Sequence, residues 1–315
     1  MTKPQRLIGA HSLGLTGLIN GDNLKDLAAA ARIAHDTGCN LVELACSPII
    51  SGVSGGEIAQ ALKDGGITNA SWCRFFPQAP DGTFPFGDPV GSAGNQQKAF
   101  ETFDADFEII GNLRANGITV TDVTGPWAYV LGFHYGRSHH TTLDSVCRFA
   151  SEMGPRFQKR DLIGSLEYLR WSEDKVLSGI GGLIGVLDRV NHPNVKAHLD
   201  TFHMLQHSEN PLEVILQADD RIGMFHANGT NRLHPGAFCY LGDMAATDNV
   251  NWYIVARALQ QVGYAGTVTS EPFCQAIRDA IAALGEGLPR AINPELFFNL
   301  TNQHLQQTGV FDLPV

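Results

Sequence analysis

Short apolar, β-branched runs alternate with longer stretches of helical periodicity along almost the whole chain, and no other feature restricts the fold as much. The apolar runs predict strands at Leu7–Ser12, Asn40–Ala45, Asn69–Phe76, Thr119–Val123, Leu162–Leu166, Val195–Leu199, Ile222–Phe225 and Gly266–Ser270. Between them, apolar residues at i, i+3, i+4 predict helices at Leu24–Thr37, Ile58–Lys63, Gln97–Asn116, Leu143–Met153, Val176–Val190, Leu212–Ala218 and Trp252–Val262, then Ala276–Leu284. Strand then helix, repeated eight times over roughly 280 residues, is the rhythm of a (β/α)8 TIM barrel of the α/β class. A doubly wound open sheet is the other candidate. Its first strand, however, would run into Gly14-Leu15-Thr16-Gly17, which lacks the spacing of a dinucleotide-binding turn. No Pro- or Ser-rich linker divides the chain, so residues 1–315 are expected to form a single domain with an extra C-terminal helix at Glu295–Gln307.

Charge narrows the partners. Lys and Arg number 22 against 32 Asp and Glu, a formal net charge of -10. Such a surface repels phosphate backbones and anionic lipid, so neither nucleic acid nor membrane is an expected partner. No stretch approaches the ~18 apolar residues of a membrane span, and the opening MTKPQRLIGAHSLG lacks the apolar run of a signal peptide. Six scattered cysteines without a C-x-x-C pair read as reduced thiols, which fits a cytoplasmic protein.

The segments after the third, fourth and seventh strands (Phe75 to Pro89, Gly125 to His140, His234 to Asn249) are rich in aromatics, Gly and Pro. On a barrel they become long loops on the C-terminal face, where substrate pockets are built. The last four strands end in potential ligands. LIGSLEYL delivers Glu167, VKAHLDTFH delivers Asp200 with His203 three residues on, IGMFHANGTNR delivers His226 with Arg232 six on, and GTVTSEPF delivers Glu271. Three carboxylates converging on one rim repel one another unless a cation neutralises them. One imidazole among oxygens suits Mn²⁺, Mg²⁺ or Co²⁺ better than a structural zinc. A single acidic residue at a strand end is equally an N-cap or an ion-pair partner, and spacing leaves both readings open.

These residues resemble the xylose isomerase-like TIM-barrel superfamily, and within it the D-tagatose 3-epimerase/D-psicose 3-epimerase family of ketose 3-epimerases. The resemblance is strongest from Leu162 to Phe273. It rests on the string Asp200-Thr201-Phe202-His203-Met204, on Arg232 and Glu173 at the family's spacings, and on the run His234-Pro235-Gly236, Asn251-Trp252, Gly263-Tyr264 and Glu271-Pro272-Phe273. It implies a divalent metal, Mn²⁺ before Co²⁺ or Mg²⁺, on Glu167, Asp200, His226 and Glu271. Glu167 and Glu271 would then act as an acid/base pair on opposite faces of C3 of a ketose, inverting that centre through an enediolate. His203, Arg232, Glu173 and Cys73 would contact a small carbohydrate substrate, and the expected assembly is a homo-oligomer, a dimer or tetramer.

Tyr168-Leu169-Arg170-Trp171 departs from the Asn-Arg-Phe usual after the first ligand, and Asn251 replaces the usual Asp before Trp. These changes touch the pocket walls. Other chemistries on the same barrel therefore stay open: aldose–ketose isomerisation, inosose isomerisation or dehydration, and 3-oxo-glycoside (C-glycoside) lysis. Trp127, Tyr129, Phe133, Tyr135, Phe238 and Tyr240 would offer a larger substrate aromatic walls. His134, His139 and His140, in the loop after the fourth strand, are surface residues or an extra base over the pocket. A DNA-repair endonuclease would need a multi-zinc, histidine-rich site and a basic face, against which the net charge of -10 argues, and a non-catalytic sugar-binding protein would have no use for the quartet.

Overall fold

A parallel strand has to cover two faces, and the apolar runs do this by alternation, one side chain outward to a helix and the next inward. The computed structural model describes residues 8–11, 23–45, 52–79, 81–131, 139–170, 176–230, 238–239, 250–270, 303 and 305–310. Within them, eight strands run Ile8–His11 (β1), Leu41–Ala45 (β2), Asn69–Cys73 (β3), Thr119–Thr124 (β4), Ile163–Glu167 (β5), Val195–Asp200 (β6), Ile222–Ala227 (β7) and Thr267–Ser270 (β8). They close into a barrel in chain order, every neighbour parallel, with β1 paired to both β2 and β8. The fold is a TIM barrel. No helix among the described residues is long and apolar enough to cross a membrane.

The helices are Asn23–Asp36 (α1), Gly55–Asp64 (α2), Ala93–Ala115 (α3), His139–Gln158 (α4), Ile180–Val190 (α5), Thr201–Gln206 (α6), Pro211–Ala218 (α7) and Trp252–Gln261 (α8). Helix α2 starts earlier than its apolar spacing predicts because Ser54 and Glu57 form a reciprocal capping box. Helix α5 starts later than expected. Gly179 has φ +77°, which no helix interior allows, and its first turn is capped from afar by Glu209, whose Oε1 accepts from the Ile180 N–H at 2.8 Å. The third predicted strand stops at Cys73, and Phe76–Pro77 pairs instead with Val130–Leu131 in a separate two-stranded piece. The helix expected at Ala276–Leu284 lies outside the described residues, as does most of Glu295–Gln307.

Aromatics fill the layer between the barrel and α3 and α4. Trp127 meets Phe157 edge-on at 5.2 Å and Phe103 at 6.4 Å, while Phe100 stacks on Phe149 at 4.6 Å. Trp127 and Tyr129 are thus buried structural groups, and the expectation that they wall a substrate pocket is corrected. Gly164, on the outward face of β5, makes room for this layer, since a Cβ there would lie 2.1 Å from the Phe157 ring.

The ladder slips at two points, between Ala70 and Trp72 and between Ala197 and His198. At the second, β7 carries an extra residue, Gly223. A Cβ on Gly223 would lie 2.3 Å from Ser165 Oγ and 2.9 Å from Lys196 Cβ. Glycine at a bulge that faces the crowded interior is the expected solution.

At the N-terminal end of the barrel a cavity of about 380 Å³ is lined by Asp122, Lys196, Gly223 and Thr267 among others, at the opposite mouth from the predicted ligands. Asp122 is 7% exposed, and burial pushes its carboxyl up to about 6, opposed by the Thr121 hydroxyl and reinforced by the charge of Glu43. A carboxyl whose folded pKa exceeds its unfolded value stabilises the fold only while protonated, and that stability is lost as pH rises through about 6. Asp122→Asn is therefore expected to raise unfolding free energy by about 3 kcal/mol near pH 8 and by almost nothing near pH 4. Urea melts at both pH values check this, and an equal gain at both would rule out the ionisation of Asp122 as its source.

Candidate metal and active site

Alternation on β5, β6 and β7 puts Ser165 and Glu167, His198 and Asp200, and Met224 and His226 on the inner face of the barrel. Glu167 stands level with His198, and Asp200 with His226. All four are buried at 5% exposure or less. The backbone of Glu167 is clamped on both sides. Its N–H donates to Gly125 O at 3.1 Å, and Tyr129 OH donates to its carbonyl at 2.7 Å. Asp200 keeps the N-cap role open to any strand-end acid, because its Oδ1 accepts from the Phe202 N–H at 2.6 Å and starts α6. Its other oxygen, Oδ2, accepts from Asn228 Nδ2 at 2.7 Å and lies 3.7 Å from His226 Nδ1.

Two groups of three have ligand atoms within 4.8 Å of one another: Glu167 with His198 and His226, and Glu167 with Asp200 and His203. Hydrogen bonds decide which imidazole nitrogens carry lone pairs. Gly125 N–H donates to His198 Nδ1 at 3.1 Å and Arg170 N–H donates to His203 Nδ1 at 2.9 Å. A backbone N–H can only donate, so both rings carry their proton on Nε2. His203 Nε2 therefore presents an N–H, 3.7 Å from Glu167 Oε1. His226 is the reverse. Its Nε2 lies 2.6 Å from the Glu43 carboxylate, which can only accept, so its Nδ1 is the nitrogen facing Asp200. Asp200 Oδ2 and His226 Nδ1 stand 3.7 Å apart, and Glu167 comes within 4.8 Å of His226 in one group and of Asp200 in the other, so carboxylate oxygens and one imidazole nitrogen are available to a divalent cation.

The structure thus brings Glu167, Asp200, His226 and His203 together. Cys73 ends β3, buried, with its Sγ where a Cβ on Gly125 would come within 3.0 Å. Glu271 follows the last residue of β8 and, with Arg232, Glu173 and His134, lies outside the described residues; of His139 and His140 only the helical backbone of α4 is described. Three interior residues escaped the sequence reading: Glu43, His198 and Asn228. For His198 a signal existed, since it stands two residues before Asp200 and so shares its face.

A family model described as a xylose isomerase-like TIM barrel matches residues 27–291. The chain belongs to that family. Among curated members, a D-psicose 3-epimerase of Enterocloster bolteae is 30% identical over 122 residues, covering 39% of this chain and 37% of its own. An L-ribulose 3-epimerase of Methylomonas sp. is 36% identical over 110 residues, 35% of each chain. The chain thus spans little more than a third of the length of these xylose isomerase-like relatives. A crystal structure of D-allulose 3-epimerase from Methylomonas sp. in complex with D-allulose covers 98% of this chain and 99% of its own, with TM-score 0.76 and 20% identity. That likeness speaks for the barrel.

Proposed function

We propose that this chain is a metal-dependent sugar isomerase/epimerase, and that its reaction is C3 epimerisation of a free ketose, carried out in the cytoplasm by a homo-oligomer. The observation that carries this reading is the convergence of Glu167, Asp200 and His226 from consecutive strands, with His226 Nδ1 turned 3.7 Å from Asp200 Oδ2. Those three and Glu271 would hold the metal, Mn²⁺ before Co²⁺ or Mg²⁺. A divalent ion there supplies Lewis acidity that makes the hydrogen beside a substrate carbonyl removable. The residues do the rest. Glu167 takes or gives the C3 proton through its carboxylate, and Glu271 serves the opposite face, so the returning proton inverts the centre. His203 offers its Nε2–H to a substrate oxygen, and Arg232, Glu173 and Cys73 contact the sugar. The relatives named as D-psicose and L-ribulose 3-epimerases support a ketose over other sugars.

Incubation of the Mn²⁺-supplied protein with ketohexoses and ketopentoses in D₂O is expected to place deuterium at C3 of the epimerised product. Exhaustive chelation should bring turnover to background and Mn²⁺ should restore it. Label confined to C1 and C2 would make the protein an aldose–ketose isomerase. Inert ketoses alongside consumption of a 3-oxo-glycoside would overturn the proposal.

A further inference from the structure

Glu43 is a fully buried carboxylate in the middle of the apolar strand β2, 183 residues from its partner His226 and across the barrel from it. Its two oxygens are used separately. Oε1 accepts from the Thr124 hydroxyl and Oε2 from His226 Nε2 at 2.6 Å. Leaving a charge in the barrel interior costs stability unless its partners offset that cost. What the contact does achieve is chemical. It keeps the ring proton on Nε2 and turns the Nδ1 lone pair toward Asp200. With the proton on Nδ1 instead, the ring would bond to the Asp200 carboxylate and close the very position a cation needs.

We infer that Glu43 is a positioning residue: it locks His226 in the Nε2–H tautomer and so sets Nδ1 as a metal ligand, with Thr124 holding the carboxylate in place. This rests on the metal reading given under the proposed function. Outer carboxylates of this kind orient a ligating imidazole, raise its basicity and typically contribute 10–100-fold to metal affinity.

The test uses the metal-free protein. Mn²⁺ is titrated into it and into Glu43→Gln and Thr124→Val, and ring ¹⁵N spectra report the tautomer of His226 before metal is added. The unmodified ring is expected as Nε2–H. Glu43→Gln keeps the shape but not the obligate acceptor, so it should add an Nδ1–H population and weaken Mn²⁺ binding by about 10–100-fold. Thr124→Val should move both readouts in the same direction, by less. A packing role alone would alter melting without shifting the tautomer. An Nδ1–H ring in the unmodified protein, or Mn²⁺ binding by Glu43→Gln within about twofold of normal, overturns the inference. Absence of Mn²⁺ binding by the unmodified protein is a different result, because it overturns the metal reading itself.

Discussion

Glu167→Gln is expected to lower kcat by at least about 10²–10⁴-fold, the contribution of a proton-transfer group held in place. Glutamine keeps the length and the planar head, and the backbone clamp from Gly125 and Tyr129 does not involve the side chain. The variant should therefore fold and melt normally while losing the oxygen that carries the proton. His203 Nε2, 3.7 Å from Oε1, can still meet the amide oxygen, so binding of the sugar should fall much less than turnover. Measuring kcat with Mn²⁺ occupancy checked on the same sample separates loss of chemistry from loss of metal. A near-normal rate with metal bound would remove Glu167 from the acid/base role. Glu271→Gln is expected to behave the same way.

The largest effect on stability should come from a place remote in sequence from these carboxylates. Arg74 leaves β3 immediately after Cys73 and turns outward to Asp106 of α3, its Nε donating to Oδ2 at 2.6 Å and its second arm to Oδ1. Both side chains are 6% exposed or less. Burial pushes the Asp106 carboxyl above its ordinary range, and Arg74 pulls it back only in part. A pair of this kind adds little over an apolar replacement, yet breaking it strands a charge. Asp106→Ala is expected to cost about 3–5 kcal/mol in urea unfolding. Pairing it with Arg74→Met should recover much of the loss. A single-variant cost below about 1 kcal/mol would show that Arg74 finds water once released.

Most of the barrel was legible because its strands are apolar runs and its helices are periodic. The misreadings fall where backbone and side chain obey different rules. The strands predicted to stop at Leu166, Leu199 and Phe225 continue to Glu167, Asp200 and Ala227. A polar side chain ends an apolar run but not a ladder of main-chain hydrogen bonds, so the candidate ligands at the strand ends are themselves strand residues. Helix α6 went unseen because Thr201–Gln206 is too short for periodicity, and its only signal is the N-cap Asp200. Glu43 was hidden for the opposite reason. Inside Leu-Val-Glu-Leu-Ala it looks like one flaw in a core strand, and its partner is brought to it only by closure of the barrel.

The bulge at Gly223 has a consequence for anyone remodelling this scaffold. Above it, Met224 and His226 face inward and Phe225 packs outward with the helix layer, where it is wholly buried. One residue inserted between Met224 and Phe225 would exchange the imidazole for the phenyl ring, sending a hydrocarbon to the rim and a polar ring into oil. The same edit before Gly223 meets a strand already out of step and able to absorb it. Grafts at this rim should therefore splice beyond Asn228, whose side chain braces Asp200, and leave the four residues from Gly223 to His226 as a fixed gauge for it.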